Sequence, residues 1–221
     1  MNQERGDTIH SYRLLMLTTK SWAQSLNLSV AATAPAVKNY SRRCRRTARQ
    51  IAVRSIILHG VVAVAFKVNP EAIIDWFREQ RIWRSVTPGE RAFLTSPSRT
   101  SHDRLRFTWH KEAEWTLLWA IGKIQSLGLP TTECDTRRLV DEIIPPLGTD
   151  ISDFVSTAKT REPGVLLAED DRTYQMWCHA QEARRTGQLP SDLNWSVLYE
   201  RRYALEWLDN GQSWDDITCD A

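Results

Sequence analysis

The 221-residue sequence predicts an all-α fold, a single compact multi-helix bundle with an N-terminal helical extension. Apolar residues recur at three- and four-residue spacing along several long segments, which is the period of an amphipathic helix. No stretch alternates between apolar and polar residues for more than a few positions, so nothing indicates a β-sheet. The chain is 42% hydrophobic and 25% charged, which are ordinary proportions for a globular protein with a substantial core.

The first 40 residues predict an extension that is separate from the main domain. An amphipathic helix is predicted over 5–28, and residues 29–40 read as a linker of small residues in which Pro35 breaks any helix. We therefore expect residues 1–40 to form an N-terminal helical extension and linker that is dispensable for folding, and residues 41–221 to form the helical domain.

A long apolar helix is predicted from about Ser41 to Phe66. Its most apolar part, residues 51–66, contains Arg54 and His59 and is shorter than the roughly 20 residues that a membrane-spanning helix needs. We therefore expect a buried core helix and no membrane association.

Seven further helices follow from local start and stop signals. Thr87 and Glu90 have the spacing of a capping box, in which the side chain of each residue bonds the backbone N–H of the other. Pro70 suits the first turn of a helix, where its missing N–H costs nothing. The predicted helices run from Pro70 to about Gln80, from Thr87 to about Ser96, over 104–127, from Asp135 to Ile144, from Asp150 to Thr157, over 164–186 and from Asn194 to Leu208.

The bulk composition argues against several classes of protein. The formal net charge of +2 is too small to indicate a nucleic-acid or membrane-surface binder by itself. The four cysteines form neither a CxxC pair nor a zinc-binding pattern, so we expect no cofactor or metal and a cytoplasmic location. Ten tryptophans are many for this length and indicate an aromatic interior, an aromatic interaction surface, or both.

A run of arginines marks the start of the long apolar helix. Arg42, Arg45, Arg46 and Arg49 fall on one helical stripe, which has the charge to neutralise the phosphates of a nucleic acid. No base-reading motif accompanies the stripe, and charge runs at helix ends are common, so we favour a solvated helix start. Nucleic-acid binding through the Arg42–Arg49 stripe stays a weaker alternative.

Carboxylates near tryptophans are the candidate chemical groups. Glu112 shares a helical face with Trp115 and Trp119, and a carboxylate held against indoles can have a raised pKa and act as a general acid. Carboxylate oxygens are also what a hard cation prefers, but no calcium-loop pattern is present. We therefore expect helix capping and ion pairing, with no catalytic residue and no metal site. The aspartates considered for a cation site are Asp170, Asp171, Asp215, Asp216 and Asp220.

Three C-terminal blocks combine acids and aromatic residues. They are Asp171-x-x-Tyr174, Tyr199-Glu200-Arg201-x-x-Ala204-Leu205-x-Trp207-Leu208 and Trp214-Asp215-Asp216-x-x-x-Asp220. With the central Trp109-x-x-Glu112-Ala113 segment, they make the chain from about Gln50 to Asp220 resemble DUF4272, a bacterial family of uncharacterised proteins. The resemblance implies a mostly helical fold, implies no catalytic residue, and leaves residues 1 to about 40 outside the family domain.

Twelve signature residues are candidates for a structural or an interaction role. Arg201 is among them and lies in an apolar stripe with Leu205, where an unpaired charge is very costly. We therefore expect Arg201 to pair with Asp171, Asp215 or Asp216 and to act as a structural clasp. The signature residues are Glu112, Trp115, Trp119, Asp171, Tyr174, Glu200, Arg201, Trp207, Trp214, Asp215, Asp216 and Asp220.

Two classes of function stay open at this point. The leading hypothesis is a non-enzymatic cytoplasmic protein-interaction module, an inhibitor or immunity-type partner, because no catalytic motif is present and tryptophan and arginine favour interface hot spots. The alternative is a metal-dependent or carboxylate-based hydrolase. Convergence of Glu112, Asp171, Asp215 and Asp216 in one open pocket would favour the hydrolase. The oligomeric state and the identity of the partner are left open.

Overall fold

Nine α-helices pack together in the computed structural model, which describes residues 19–26, 46–187 and 193–219. These residues contain no strand, so the predicted all-α fold is confirmed. A helical segment at 19–25 precedes α1 (Ala48–Ala65), α2 (Pro70–Glu79), α3 (Pro88–Thr95), α4 (Ser101–Ala120), α5 (Thr136–Arg138, continued by a π-helical turn at Leu139–Ile143), α6 (Ser152–Ser156), α7 (Pro163–Arg185) and α8 (Trp195–Asp209). Short 3₁₀ turns occupy Trp83–Ser85 and Trp214–Asp216.

The helix α1 is the core of the bundle. Thirteen of its 18 residues are buried, as the apolar run predicted. Its length and apolar composition would suffice to cross a membrane, but most of it is covered by the rest of the protein. The two ionisable residues in its buried part are paired: Arg54 Nη2 lies 2.5 Å from Glu90 Oε1, and His59 Nδ1 lies 3.0 Å from Glu114 Oε1.

The long helices form a continuous series of packed pairs. The helix α1 packs most extensively on α4, α4 also packs on α8, and α8 packs on α7. Capping boxes begin three of the helices: the predicted one at Thr87 and Glu90 is confirmed, and Thr47 and Thr100 start α1 and α4 in the same way. Local sequence therefore determines where these helices begin, and their apolar faces determine what they cover.

The helix α4 ends earlier than predicted. The predicted helix 104–127 stops at Ala120, because Gly122 adopts a left-handed backbone with φ 76° and its N–H bonds the Trp119 carbonyl oxygen. This is a glycine-terminated helix end, whereas the prediction had placed the stop at Gly128. The chain then leaves α4 and returns along its side.

Part of the predicted N-terminal extension contacts the domain. Thr19 and Ala23 are buried, and Trp22 packs against a second apolar cluster of Met176, Trp177, Ala180 and Leu198. The guanidinium of Arg172 lies 5.3 Å from the Trp22 ring. The division of the chain at residue 40 stays a prediction, and the proposed linker at 29–40 lies outside the described residues.

Candidate functional site

Glu112 and Arg201 form a buried pair where α4 meets α8. The Glu112 Oε2 lies 3.9 Å from Arg201 Nε, and Glu112 Oε1 accepts a hydrogen bond from the backbone N–H of Cys134 at 2.5 Å. The Arg201 Nη1 donates to the Gly128 carbonyl oxygen at 2.9 Å. Burial raises the pKa of Glu112 and lowers the pKa of Arg201, and each charge partly offsets the shift of the other. The pair joins two helices and a loop.

The expected partners of Arg201 were wrong. Asp171, Asp215 and Asp216 were proposed because they share the C-terminal signature, but the partner is Glu112 on the central helix. The physical reason is the packing of α8 on α4, which places Arg201 opposite Glu112. Trp115 and Trp119 on the same helix are buried, as expected.

Asp215 attaches the C-terminal segment to the start of α3. Its Oδ1 accepts from the Thr87 hydroxyl at 2.6 Å, and its Oδ2 accepts from the Gly89 N–H at 2.8 Å. A carboxylate at a helix N-terminus is stabilised by the free N–H groups and by the helix dipole. Asp215 therefore forms a clasp between the C-terminal segment and α3, but the clasp that was predicted through Arg201 is wrong. The neighbouring Asp216 is exposed, and Asp220 lies outside the described residues.

Asp171 and Tyr174 lie on α7, away from these contacts. Asp171 is fully buried where α7 meets residues 19–26, and burial raises its pKa, an effect that the Thr19 side chain partly offsets. The Arg202 guanidinium lies 4.7 Å from the Tyr174 ring. Glu112, Asp171, Asp215 and Asp216 therefore do not meet in one pocket. No group of three or more His, Cys, Asp or Glu side chains within the described ranges is placed to hold a metal ion.

An open cleft of about 330 Å³ lies between the start of α1, the end of α2 and the C-terminal segment. We call it the arginine cleft and define it by Arg46, Arg49, Arg54, Arg81, Trp207 and Trp214. No acidic residue is among the described residues that line it. The guanidinium of Arg46 lies 4.4 Å from the Trp207 ring, and that of Arg54 lies 5.2 Å from the Trp214 ring. The indole faces are thus covered by arginines, and the cleft presents positive charge.

A second cavity of about 340 Å³ lies between α4, α8 and the C-terminal segment. We call it the histidine cavity and define it by Arg106, His110, Tyr199, Glu200 and Tyr203. His110 Nδ1 lies 3.0 Å from Glu200 Oε2, and both side chains are largely buried. Trp214 lines both cavities, and its carbonyl oxygen accepts a hydrogen bond from the Tyr203 hydroxyl. Four signature residues therefore surround two neighbouring openings, together with Tyr199: Glu200, Trp207, Trp214 and Asp215.

One family is similar to almost the whole chain. The sequence model described as "Domain of unknown function (DUF4272)" matches residues 16–217. The chain belongs to the DUF4272 family. The match begins inside the segment that we expected to lie outside the resemblance, and it includes residues 19–26, which contact α7. No curated protein and no solved structure matches this DUF4272 chain.

Sequence reasoning missed several residues of the two DUF4272 cavities. His110 looked isolated, because its partner Glu200 is 90 positions away in sequence. Arg81 carried no signal at all. Arg54 did carry one, since a charge inside an apolar helix must find a partner or be exposed. That rule predicts a buried ion pair for Arg54, although it does not identify Glu90 as the partner.

Proposed function

We propose that this DUF4272 protein is a non-enzymatic, cytoplasmic protein-interaction module, an inhibitor or immunity-type partner, that binds an acidic surface of another protein in the arginine cleft. The proposal rests on a contrast between the carboxylates that were candidates for catalysis and the arginines of the cleft. The carboxylates considered for catalysis serve helix and segment contacts, whereas Arg49 and Arg81 are exposed in an open cleft without acidic lining residues.

Physical chemistry supports a protein partner for such a cleft. Arginine and tryptophan are enriched among the residues that dominate interface binding energy. A concentrated positive potential steers an acidic partner and rejects a basic one, so it supplies specificity as well as rate. The guanidinium groups of Arg46 and Arg54 lie over the rings of Trp207 and Trp214, and these cation–π contacts help to position the two arginines.

Partner capture from the native host, followed by mass spectrometry, tests the proposal. The tagged full chain is compared with the double variant Arg49→Glu, Arg81→Glu and with the control Arg137→Glu. Arg137 is highly exposed and lies outside the cleft. We expect a reproducible protein partner that the control retains and the double variant loses. Capture that is identical for all three proteins, or no reproducible partner, would contradict the proposal.

The hydrolase alternative retains one supporting observation. The His110–Glu200 pair faces the histidine cavity, and a carboxylate that holds an imidazole is the arrangement of a general base. No serine, threonine or cysteine is among the described residues that line this cavity, so the pair would act as a general base on a water molecule. Ester or phosphoester hydrolysis that is lost in both His110→Ala and Glu200→Gln would favour the alternative.

Nucleic-acid binding is a weaker alternative. Arg46 and Arg49 of the proposed Arg42–Arg49 stripe line the arginine cleft, and Arg42 and Arg45 lie outside the described residues. A cleft of about 330 Å³ suits one small group better than the extended backbone of a nucleic acid, whose binding requires several phosphate contacts along a surface.

A further inference from the structure

The first turn of α1 borders the arginine cleft through Arg49 and Gln50 and has no acidic residue of its own. The N-cap Thr47 accepts a hydrogen bond from the N–H of Gln50, and the capping box is completed by a glutamine, so the first turn has no acid. No described acceptor takes the N–H groups of Ala48 and Arg49. Free N–H groups and the positive end of the helix dipole together favour an anion at this position.

Arg54 brings a buried hydrogen-bond donor to the same cleft. Its side chain is 5% exposed, and its Nη2 is taken by Glu90. Its Nε has no hydrogen-bond partner. A buried donor without an acceptor destabilises the fold, so a ligand oxygen that accepted from this Nε would remove that cost.

Arg81 has an unusual backbone that the fold does not require of an arginine. It follows the C-cap of α2 and has φ 59°, a left-handed conformation in which glycine is the favoured residue. Its side chain is exposed, lines the cleft and has no ion-pair partner among the described residues. Strained residues of this kind concentrate at functional sites, so we interpret the exposed guanidinium of Arg81 as a ligand-binding group.

The charge balance and the shape of the cleft select the ligand. No acid is among the described residues that line the cleft, and Glu90, which contacts Arg54 from outside it, is already paired. The rings of Trp207 and Trp214 are almost fully buried, so neither offers an open face for a nucleobase. A compact dianion with several acceptor oxygens fits these donors better than a single carboxylate, because arginine binds phosphate through two parallel hydrogen bonds.

We infer that the arginine cleft is a phosphate-binding site, which takes a phosphate monoester through Arg49, Arg81, the Nε of Arg54 and the N-terminus of α1. This inference rests on the proposed function, because it names the group on the partner that the cleft holds: a phosphorylated side chain. A free phosphorylated small molecule offers the same chemistry, and the experiment separates the two sources.

Calorimetric titration of the full chain tests the site. The probes are inorganic phosphate, glucose 6-phosphate, N-acetyl-phosphoserine amide and N-acetyl-glutamate amide. We expect phosphoserine amide to bind at least tenfold more tightly than glutamate amide. Tighter binding of phosphoserine amide than of glucose 6-phosphate supports a phosphorylated partner, and the reverse order supports a small molecule. Equal affinity for glutamate amide, or no binding of any phosphate probe, overturns the inference.

Single substitutions locate the binding. Arg49→Gln and Arg81→Gln should each weaken binding of phosphoserine amide at least tenfold, while Arg137→Gln should leave it unchanged. All three side chains are exposed, so thermal unfolding should confirm intact folding. Unchanged affinity in both cleft variants overturns the inference. Phosphate binding without any captured partner would contradict only the proposed function, and a captured partner without phosphate binding would contradict only the inference.

Discussion

At the residue scale, Asp170 on α7 couples stability to pH. Burial raises the pKa of Asp170 to about 7, Asp209, Glu206 and Asp171 raise it further, and Arg202 offsets part of the rise. Because the folded-state pKa lies above the unfolded value of about 4, the folded protein binds the additional proton between these pH values. The contribution of Asp170 is therefore most favourable at low pH and is lost as the pH rises through about 7.

We predict that Asp170→Asn, which cannot ionise, flattens this dependence. Between pH 5 and pH 8 the wild type should lose stability that the variant keeps. The difference in the free energy of unfolding, variant minus wild type, should therefore grow by an amount on the order of a few kcal/mol. Denaturant unfolding at both pH values measures it. Asp153→Asn is the control, because Asp153 is exposed. Parallel pH profiles for wild type and Asp170→Asn would show that the carboxyl group titrates normally.

The second residue-scale prediction concerns the two residues other than glycine that have a positive φ in the part of the chain that the structure describes. Lys67 has φ 74° and Arg81 has φ 59°. Glycine accepts this backbone without strain but also makes the unfolded chain more flexible, so Arg81→Gly should stabilise the protein by only about 0.5–1 kcal/mol. Lys67→Gly should give a similar gain.

The two glycine variants should differ in binding. Arg81→Gly should lose affinity for phosphoserine amide, whereas Lys67→Gly, outside the cleft, should keep it. Thermal unfolding and calorimetry on the same samples make the comparison. Destabilisation of Arg81→Gly by more than about 1 kcal/mol would mean that the arginine is needed for folding. It would contradict the interpretation that the strained backbone of Arg81 is retained for binding.

At the scale of elements, the contact between α4 and α8 depends on the Glu112–Arg201 pair. Arg201→Met should destabilise by roughly 3–5 kcal/mol, because it leaves Glu112 as a buried charge without its cation. Glu112→Gln in the same chain should recover part of this loss, since the amide is neutral. A double-mutant cycle by denaturant unfolding measures the recovery. Strict additivity of the two substitutions would show that the charges do not interact across their 3.9 Å separation.

The attachment of the C-terminal segment to α3 can be tested separately. Asp215→Ala removes the acceptor for Thr87 and for the Gly89 N–H, and it should cost about 0.5–2 kcal/mol, the usual effect of losing a helix cap. Asp216→Ala is the matched control: it is adjacent and exposed, so it should stay within about 0.5 kcal/mol of wild type. Equal effects of the two substitutions would contradict the clasp.

At the scale of the whole molecule, the question is where the folding unit begins. The sequence predicted that residues 1–40 are dispensable, but Thr19 and Ala23 are buried and Trp22 packs against α7 and α8. We now expect two truncations to differ. Removal of residues 1–15, which precede the family match, should leave the melting temperature within a few degrees. Removal of residues 1–40 should lower it by more, because the apolar cluster around Trp177 loses its cover.

Circular dichroism at 222 nm and size-exclusion chromatography measure both truncated proteins. About 1 kcal/mol shifts the melting temperature of a domain of this size by roughly 2–4 °C, so the loss of several buried side chains is measurable. Equal melting temperatures for the two truncations would restore the original prediction of a dispensable extension.

The sequence by itself determined the fold class and most helix starts, because these depend on interactions within a few residues. Thr87 and Glu90 specify a capping box locally, and the apolar run in α1 specifies a buried helix. The end of α4 shows the limit: Gly122 and Gly128 both adopt a left-handed backbone, and the helix ends at the first of them, where the Gly122 N–H bonds the Trp119 carbonyl oxygen.

Only the tertiary structure decided which charges meet. The packing of the helices places Arg201 opposite Glu112 and Asp215 opposite Gly89. The partners are about 90 and 126 positions apart in the sequence, and no local pattern pairs residues at such distances. The arginine cleft arises in the same way. Arg49 and Arg54 come from α1 and Arg81 from the end of α2, and each looked like an ordinary surface or interrupting charge until packing placed them around one opening.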